Sequence, residues 1–275
     1  MRAGRAPAIV ALAAALGGGT AASAVADWAE IKTRGILGVV ITWPEANYFA
    51  RDGDAHGPGL ERELLERFAA LHGLQLRVLE VAGYNDLIPA LLEGRADLIA
   101  CNITVTQKRQ QSIAFSDEIL PTRQVVVTRR PHRAVRSLEE LRQEHMVTIP
   151  GTSMAEAIAA AGVPAGSVDT VTGQNVKLST LVGKRGVTAT VEEVGVAILR
   201  LREDPDLEVG LFLGPPGSIA WGVRKTDPAL LGALNDFLGN VRRTATWSRL
   251  VVKYFGESSL DILRRARGDP AAAQP

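Results

Sequence analysis

The chain has 275 residues, 46% hydrophobic and 22% charged, with 31 Lys and Arg against 30 Asp and Glu. That length allows one or two domains, and the composition is average for a globular protein, which excludes a disordered tail, a collagen and a disulfide scaffold. A formal charge of +1 leaves no basic stripe for nucleic acid, and the lone Cys101 excludes an internal disulfide or a cysteine-cluster metal site.

Residues 1–26 read as a signal peptide. Arg2 and Arg5 precede an uncharged apolar run from Ala8 to Leu16, and Ala22-Ser23-Ala24 and Ala24-Val25-Ala26 both fit a small-residue cleavage site. The run is too short to span a bilayer, which needs about 20 residues. We therefore expect a soluble exported protein.

From there strands and helices alternate. Gly35 to Thr42 is a continuous β-branched run, read as a buried parallel strand. Leu60, Leu64, Leu65, Phe68 and Leu71 repeat at helical spacing up to Gly73. Leu74 to Val81 alternates as a half-buried strand, Asp86 to Glu93 reads as a short helix, and Ala96 to Cys101 as a strand. Gln124 to Thr128 is a strand leading into the basic run 129–133, which reads as a solvated connector. Ser137 with Glu140 forms a capping box. Met146 to Ile149 is a strand, and Gly151-Thr152-Ser153 opens a helix through Ala161. Val176 to Val182 reads as helical and Val187 to Val191 as a strand, with a helix following to about Leu201. Leu207 to Leu213 and Ile219 to Arg224 are two further strands. The chain then turns helical from Pro228 to Leu238 and from Trp247 to Tyr254, and the residues after Gly268 read as a disordered tail. Such alternation argues for α/β layers with mostly parallel sheets, in two lobes joined near 128–134 and 215–222.

Six strings of residues carry a resemblance. They are Gly59-Leu60-Glu61-Arg62-Glu63-Leu64, Leu87 to Leu92 with Gly94 and Asp97, Thr104 to Gln111, Ala114 to Asp117, Gly151-Thr152-Ser153, and Lys253-Tyr254-Phe255-Gly256. In this order they resemble the motifs of the bacterial family 3 extracellular solute-binding proteins, over about residues 33–258. The lysine/arginine/ornithine- and histidine-binding branch is especially similar around residues 106–117. The end of the chain is also similar to the solute-binding-like lobe pair of membrane-bound lytic transglycosylases.

The resemblance implies a two-lobed periplasmic-binding-protein-like fold of type II, two α/β lobes joined by a two-strand hinge with a ligand cleft between them. Lobe 1 would comprise 27–130 plus 221–258 and lobe 2 131–220, with 259–275 a C-terminal helix and tail. It places Arg109 on a ligand carboxylate, where a planar fork of donors binds bidentately. Gly151, Thr152 and Ser153 would add backbone donors at a helix N-terminus, though capping explains that turn equally well. Asn102 through its carbonyl, Thr104 through its hydroxyl and an acid from lobe 2 would receive the ammonium. Glu192 is the first choice for that acid and Glu193 the second. Trp43 and Tyr84 fall at aromatic-clamp positions, and each could equally be a core aromatic.

The implied function is a periplasmic, monomeric, non-enzymatic receptor that delivers an amino-acid-like small molecule to an ABC-transporter permease, with no cofactor and no nucleic acid. Two alternatives stand beside it. One is an exported enzyme of cyclohexadienyl dehydratase type, since fold does not fix function. The other is a muropeptide-sensing module. The four histidines, His56, His72, His132 and His145, show no metal-ligand spacing, and no GxGxxG fingerprint, P-loop or GxSxG elbow occurs.

Overall fold

The computed structural model describes residues 27–42, 46–50, 53, 57–172 and 176–268. The expected signal peptide, Trp43 and the tail after Gly268 lie outside the described residues.

The first sheet has the order β2-β1-β3-β10-β4. Its centre is β1 (Ile36–Thr42), whose residues from Leu37 onward are all buried, as a strand covered on both faces must be. It pairs in parallel with β2 (Gln75–Val81) and with β3 (Leu98–Ile99). Gly38 lets the chain pass close to Asp97, whose Oδ2 accepts the Gly38 N–H at 2.7 Å. A Cβ at residue 38 would stand 3.1 Å from that oxygen. β2 is an edge strand and exposes more of its residues than simple alternation predicts. A short helix α1 (Trp28–Arg34) precedes β1, and α2 (Ala46–Phe49) follows it. α3 (Leu60–Leu71) turns Leu60, Leu64, Leu65 and Phe68 fully into the core, while Leu71, at the last helical position, is exposed. α4 (Tyr84–Leu92), α5 (Gln107–Ser112) and β4 (Ala114–Phe115) complete the segment before the chain crosses over.

The second sheet has the order β7-β6-β8-β5-β9. β5 (Leu120–Arg129) pairs antiparallel with β8 (Ala189–Glu193) over Gln124–Thr128, so most of it belongs to this sheet although it precedes residue 130. β6 (Met146–Thr148) and β7 (Val168–Thr170) pair in parallel. Two short helices, α6 (Leu138–Leu141) and α7 (Ser153–Ala160), flank them, and α8 (Val194–Glu203) follows β8 directly.

Three expectations are corrected. Both sheets are mixed rather than mostly parallel, because β5 and β9, which carry the chain out to the second sheet and back, and β10, on which it re-enters the first, all meet their neighbours antiparallel. The strand expected at 207–213 runs on to Ile219 as β9 (Leu207–Ile219), and the one expected at 219–224 shrinks to β10 (Gly222–Val223). β9 runs through Gly214-Pro215-Pro216-Gly217 because it is the sheet edge, where a proline takes no donor from a ladder. The helix expected at 176–182 is a single 3-10 turn at Leu178–Thr180. There the Thr180 hydroxyl donates to the Lys177 carbonyl at 2.7 Å, a local bond that competes with helix.

β5 and β9 are the hinge. They pair from Leu120 with Ile219 to Arg129 with Leu207, with register shifts near Thr122 and Val125. At its first-lobe end β9 bridges Thr104, and Ser218 O accepts the Val105 N–H at 2.9 Å. The C-terminal helices α9 (Pro228–Arg243) and α10 (Thr246–Phe255) return to the first lobe, and α11 (Ser259–Ala266) lies across the junction of the two. α11 buries Leu263 and Ala266 against α8 and β5, so residues 259–266 are part of the packed body. One apolar core joins the first sheet, these helices and the buried face of α8, and a second lies on the sheet of lobe 2 around Val126, Met146 and Val191. No helix among the described residues is long and apolar enough to cross a membrane.

Candidate functional site

A cleft with a cavity volume of ≈ 170 Å³ opens between the two sheets. Tyr84, Asn102, Thr104 and Arg109 line it from the first lobe, and Gly151, Thr152, Ser153 and Glu192 from the second. Eight of the nine residues expected at the site therefore surround one space. The ninth, Trp43, lies outside the described residues.

Arg109 is aimed by its local structure. Thr106 caps α5 by accepting the Arg109 N–H at 3.3 Å, and the Arg109 Nη1 donates to the Thr104 carbonyl at 2.8 Å. The guanidinium is half-buried and retains further donors in its planar fork. Burial pulls its pKa down, with the charge of Tyr84 the first opposing cause.

Opposite stands the start of α7. Gly151 has φ +76°, a left-handed backbone that favours glycine, although a Cβ there would meet nothing within 4 Å. The Thr152 hydroxyl accepts the Ala155 N–H at 3.3 Å and donates to Ile149 O at 2.7 Å, so it serves as the cap. Ser153 Oγ accepts from Gln124 Nε2 at 3.2 Å, which ties this turn to the hinge strand. The N–H groups of the first turn lie at the positive end of the helix, a place suited to an anion.

The two glutamates at the β8–α8 junction differ in their commitments. Glu193 caps α8, its Oε2 accepting the N–H groups of Gly195 at 3.0 Å and Val196 at 3.2 Å. The same oxygen accepts the Tyr48 hydroxyl at 2.9 Å, and Oε1 accepts the Thr122 hydroxyl at 2.5 Å. Glu192 accepts the Ser179 N–H at 3.3 Å, and both glutamates line the cleft.

Asn102 adopts the left-handed region at φ 56°, a conformation Asn tolerates better than most residues. Its N–H donates to both Glu61 oxygens at 3.1 and 3.2 Å, and its own Oδ1 is buried with no hydrogen-bond partner. Burial pushes the Glu61 carboxyl up to about 8, with the Asn102 bond lowering it and the Glu193 charge raising it. Burial also pushes the Cys101 thiol up to about 12, so it is no thiolate at neutral pH.

The sequence reading missed the apolar walls, Ile149, Met154, Val176, Leu178 and Val196, and two cations of the lining, Lys177 and the buried Arg200. Loops and helix starts place these, and no periodicity marks them. It also missed Glu61 and Tyr48. For Glu61 a signal existed: an acid three, four and seven residues before Leu64, Leu65 and Phe68 sits on the apolar face of α3. No group of three or more His, Cys, Asp or Glu able to hold a metal occurs among the described residues.

Residues 36–257 match the family model described as bacterial extracellular solute-binding proteins, family 3. The chain belongs to that family. Among solved structures it is similar to a mutant of ArgBP from T. maritima, with TM-score 0.68, 24% identity and coverage of 83% of this chain and 99% of that one. It is also similar to an ancestral amino acid-binding protein described as a precursor of cyclohexadienyl dehydratase, with TM-score 0.71, 22% identity and coverage of 82% and 98%. These likenesses establish the type II fold. Among curated proteins, membrane-bound lytic murein transglycosylase F of Desulfosudis oleivorans is 26% identical over 200 residues, 72% of this chain and 44% of that protein. The same-named protein of Stutzerimonas stutzeri is 27% identical over 253 residues, 89% and 51%. The chain spans about half the length of the curated relatives it matches.

Proposed function

We propose that this solute-binding protein is a non-enzymatic, monomeric, periplasmic receptor that captures an amino-acid-like solute between its lobes and presents it to an ABC-transporter permease. The observation that carries this reading is that Arg109 of the first lobe shares one small cleft with the α7 N-terminus and Glu192 of the second. An α-amino acid needs that pairing: a donor fork for its carboxylate and acceptors for its ammonium a few ångströms away. Thr104 and the buried, unpartnered Asn102 Oδ1 supply further acceptors on the ammonium side. Glu192 is the better candidate than Glu193, whose two oxygens already take four donors. Tyr84, partly exposed at the cleft edge, would cover the solute's side chain, with Trp43 as the second clamp. Lobes divided as 27–130 plus 221–258 and 131–220 would close about β5 and β9, a known mode of such receptors.

Thermal-shift screening of residues 27–275 against the free amino acids tests the reading. A solute at 100 times its Kd should add about 2.7 kcal/mol by mass action. Stabilisation by none of them would refute an amino-acid receptor.

A second reading has its own support. The transglycosylase relatives match this chain across about half their length, so the module could instead read murein fragments. It predicts stabilisation by muropeptides and indifference to free amino acids. The dehydratase reading predicts turnover of prephenate or arogenate.

A further inference from the structure

Glu61 is a fully buried carboxyl to which neither the fold nor the proposed solute site has given a task. It lies in the first turn of α3, with zero exposure, among side chains that form the core of the first lobe. Both of its oxygens converge on the N–H of Asn102, a residue that lines the cleft in a left-handed conformation. Across the lobe junction is Glu193, fixed to the first lobe by the Tyr48 hydroxyl and to its own helix by two N–H groups.

The ionisable surroundings of Glu61 are few. On α3 itself, Arg62 bonds Glu66 and the Ala50 carbonyl, and Glu63 is held by Arg67, Lys253 and Tyr254. Of the elements packed on α3, α2 contributes the Tyr48 phenol, committed to Glu193, and β2 contributes Arg77 and Glu80, both exposed. α10 contributes the exposed Arg249, and Lys253 and Tyr254, committed to Glu63. The segment after β3 adds the neutral Cys101 thiol. Among the described residues no cation is ion-paired with Glu61, and Glu193 is the charge that bears on it.

We propose that Glu61 is a proton-operated positioning residue of the cleft: uncharged, it allows α2 of the first lobe and the β8–α8 corner of the second to meet, and ionised, it sets a second negative charge beside Glu193 and loosens that junction. A buried carboxylate without a cation partner is costly, and a neighbouring like charge adds to the cost. Burial places the change near pH 8, where the folded Glu61 carboxyl titrates. Because Asn102 hangs from the same carboxyl, the cleft wall and the lobe junction respond together. Weaker solute capture at alkaline pH rests on the receptor reading, but loosening of the junction does not.

The test uses the solute-free chain, so it stands or falls independently of the receptor reading. Infrared spectroscopy follows the protonated-carboxyl band, and small-angle scattering follows the radius of gyration, for wild type and Glu61→Gln below and above pH 8. The wild type should lose the band and expand as pH rises through about 8, whereas Glu61→Gln should do neither. Equal dimensions of the wild type at both pH values, or equal expansion of the variant, would overturn the proposal. If Glu61→Gln does not fold, Glu193→Gln carries the test. Because Glu193 also holds Tyr48 and Thr122, only the band is read in that variant: its midpoint should fall, and an unchanged midpoint overturns the proposal.

Discussion

The Tyr48 hydroxyl donates to Glu193 Oε2 at 2.9 Å, and a Cβ on residue 195 would stand 1.9 Å from that hydroxyl oxygen. Gly195 is therefore the space into which a first-lobe tyrosine reaches a second-lobe carboxylate. Tyr48 is itself pinned edge-on to Phe255 of α10, with ring centroids 5.1 Å apart, so it has little freedom to swing aside.

From this contact, Gly195→Ala should destabilise the protein more than Tyr48→Phe does. Losing one hydrogen bond to a charged acceptor costs about 1.5–3 kcal/mol, and overpacking a core costs about 1–3 kcal/mol on top of any bond it breaks. The two substitutions combined should cost less than their sum, because Tyr48→Phe removes the atom that collides. Urea denaturation of the two single variants and the double variant checks this, and strict additivity would contradict the shared contact.

Arg109→Ala should leave the melting temperature of the solute-free protein nearly unchanged and weaken solute binding at least tens-fold. Truncating one partner of a buried, hydrogen-bonded charge pair costs about 2–5 kcal/mol. Arg109→Lys should recover little, since an ammonium cannot replace the two-pronged contact. Calorimetry with the solute selected by screening is the measurement, and undiminished binding by Arg109→Ala removes the carboxylate assignment.

The two glutamates should separate by phenotype. Glu192→Gln should weaken binding of an amino acid, since it removes the charge that would meet the ammonium. Glu193→Gln should lower stability first, because it disturbs a cap and the bonds to Tyr48 and Thr122. Calorimetry and denaturation run on both variants would reveal the reverse pattern if Glu193 were the ammonium partner.

Stability should fall as pH rises between about 4.5 and 8. The Glu61 carboxyl is raised by burial from its ordinary 4.5 to about 8, so in that window the folded chain holds a proton that the unfolded chain has released. Its contribution is fully present below the unfolded value and is lost as pH rises through the folded one, by up to about 1.4 kcal/mol per pH unit. Denaturation midpoints of Glu61→Gln should show a flatter dependence over the same window. An identical slope would mean that other groups set it.

Much of the fold and of the cleft's lining was legible in the sequence because short strings of residues set it. Thr106 and Arg109 lie within one turn of helix, so the cap and the guanidinium are fixed by adjacent residues. Gly151 needs its left-handed backbone whatever packs around it. What could not be read was set by distant parts of the chain. The reading ends β9 at Leu213, before Pro215 and Pro216, and only the sheet order makes those prolines edge residues of a strand that runs on to Ile219. Likewise Glu193 looks interchangeable with Glu192 until Tyr48, 145 positions away, is found bonded to it.

Those two prolines also bear on how molecules of this protein behave toward one another. The outer rim of β9 is the unpaired side of the second sheet, and a bare rim of N–H and C=O groups is a template on which another chain can assemble. Pro215 and Pro216 are exposed and offer no N–H, and the register shift beside them breaks the straight ladder that a foreign strand would need. The segment that carries the chain between the lobes is thereby also the one that discourages neighbouring copies from joining edge to edge.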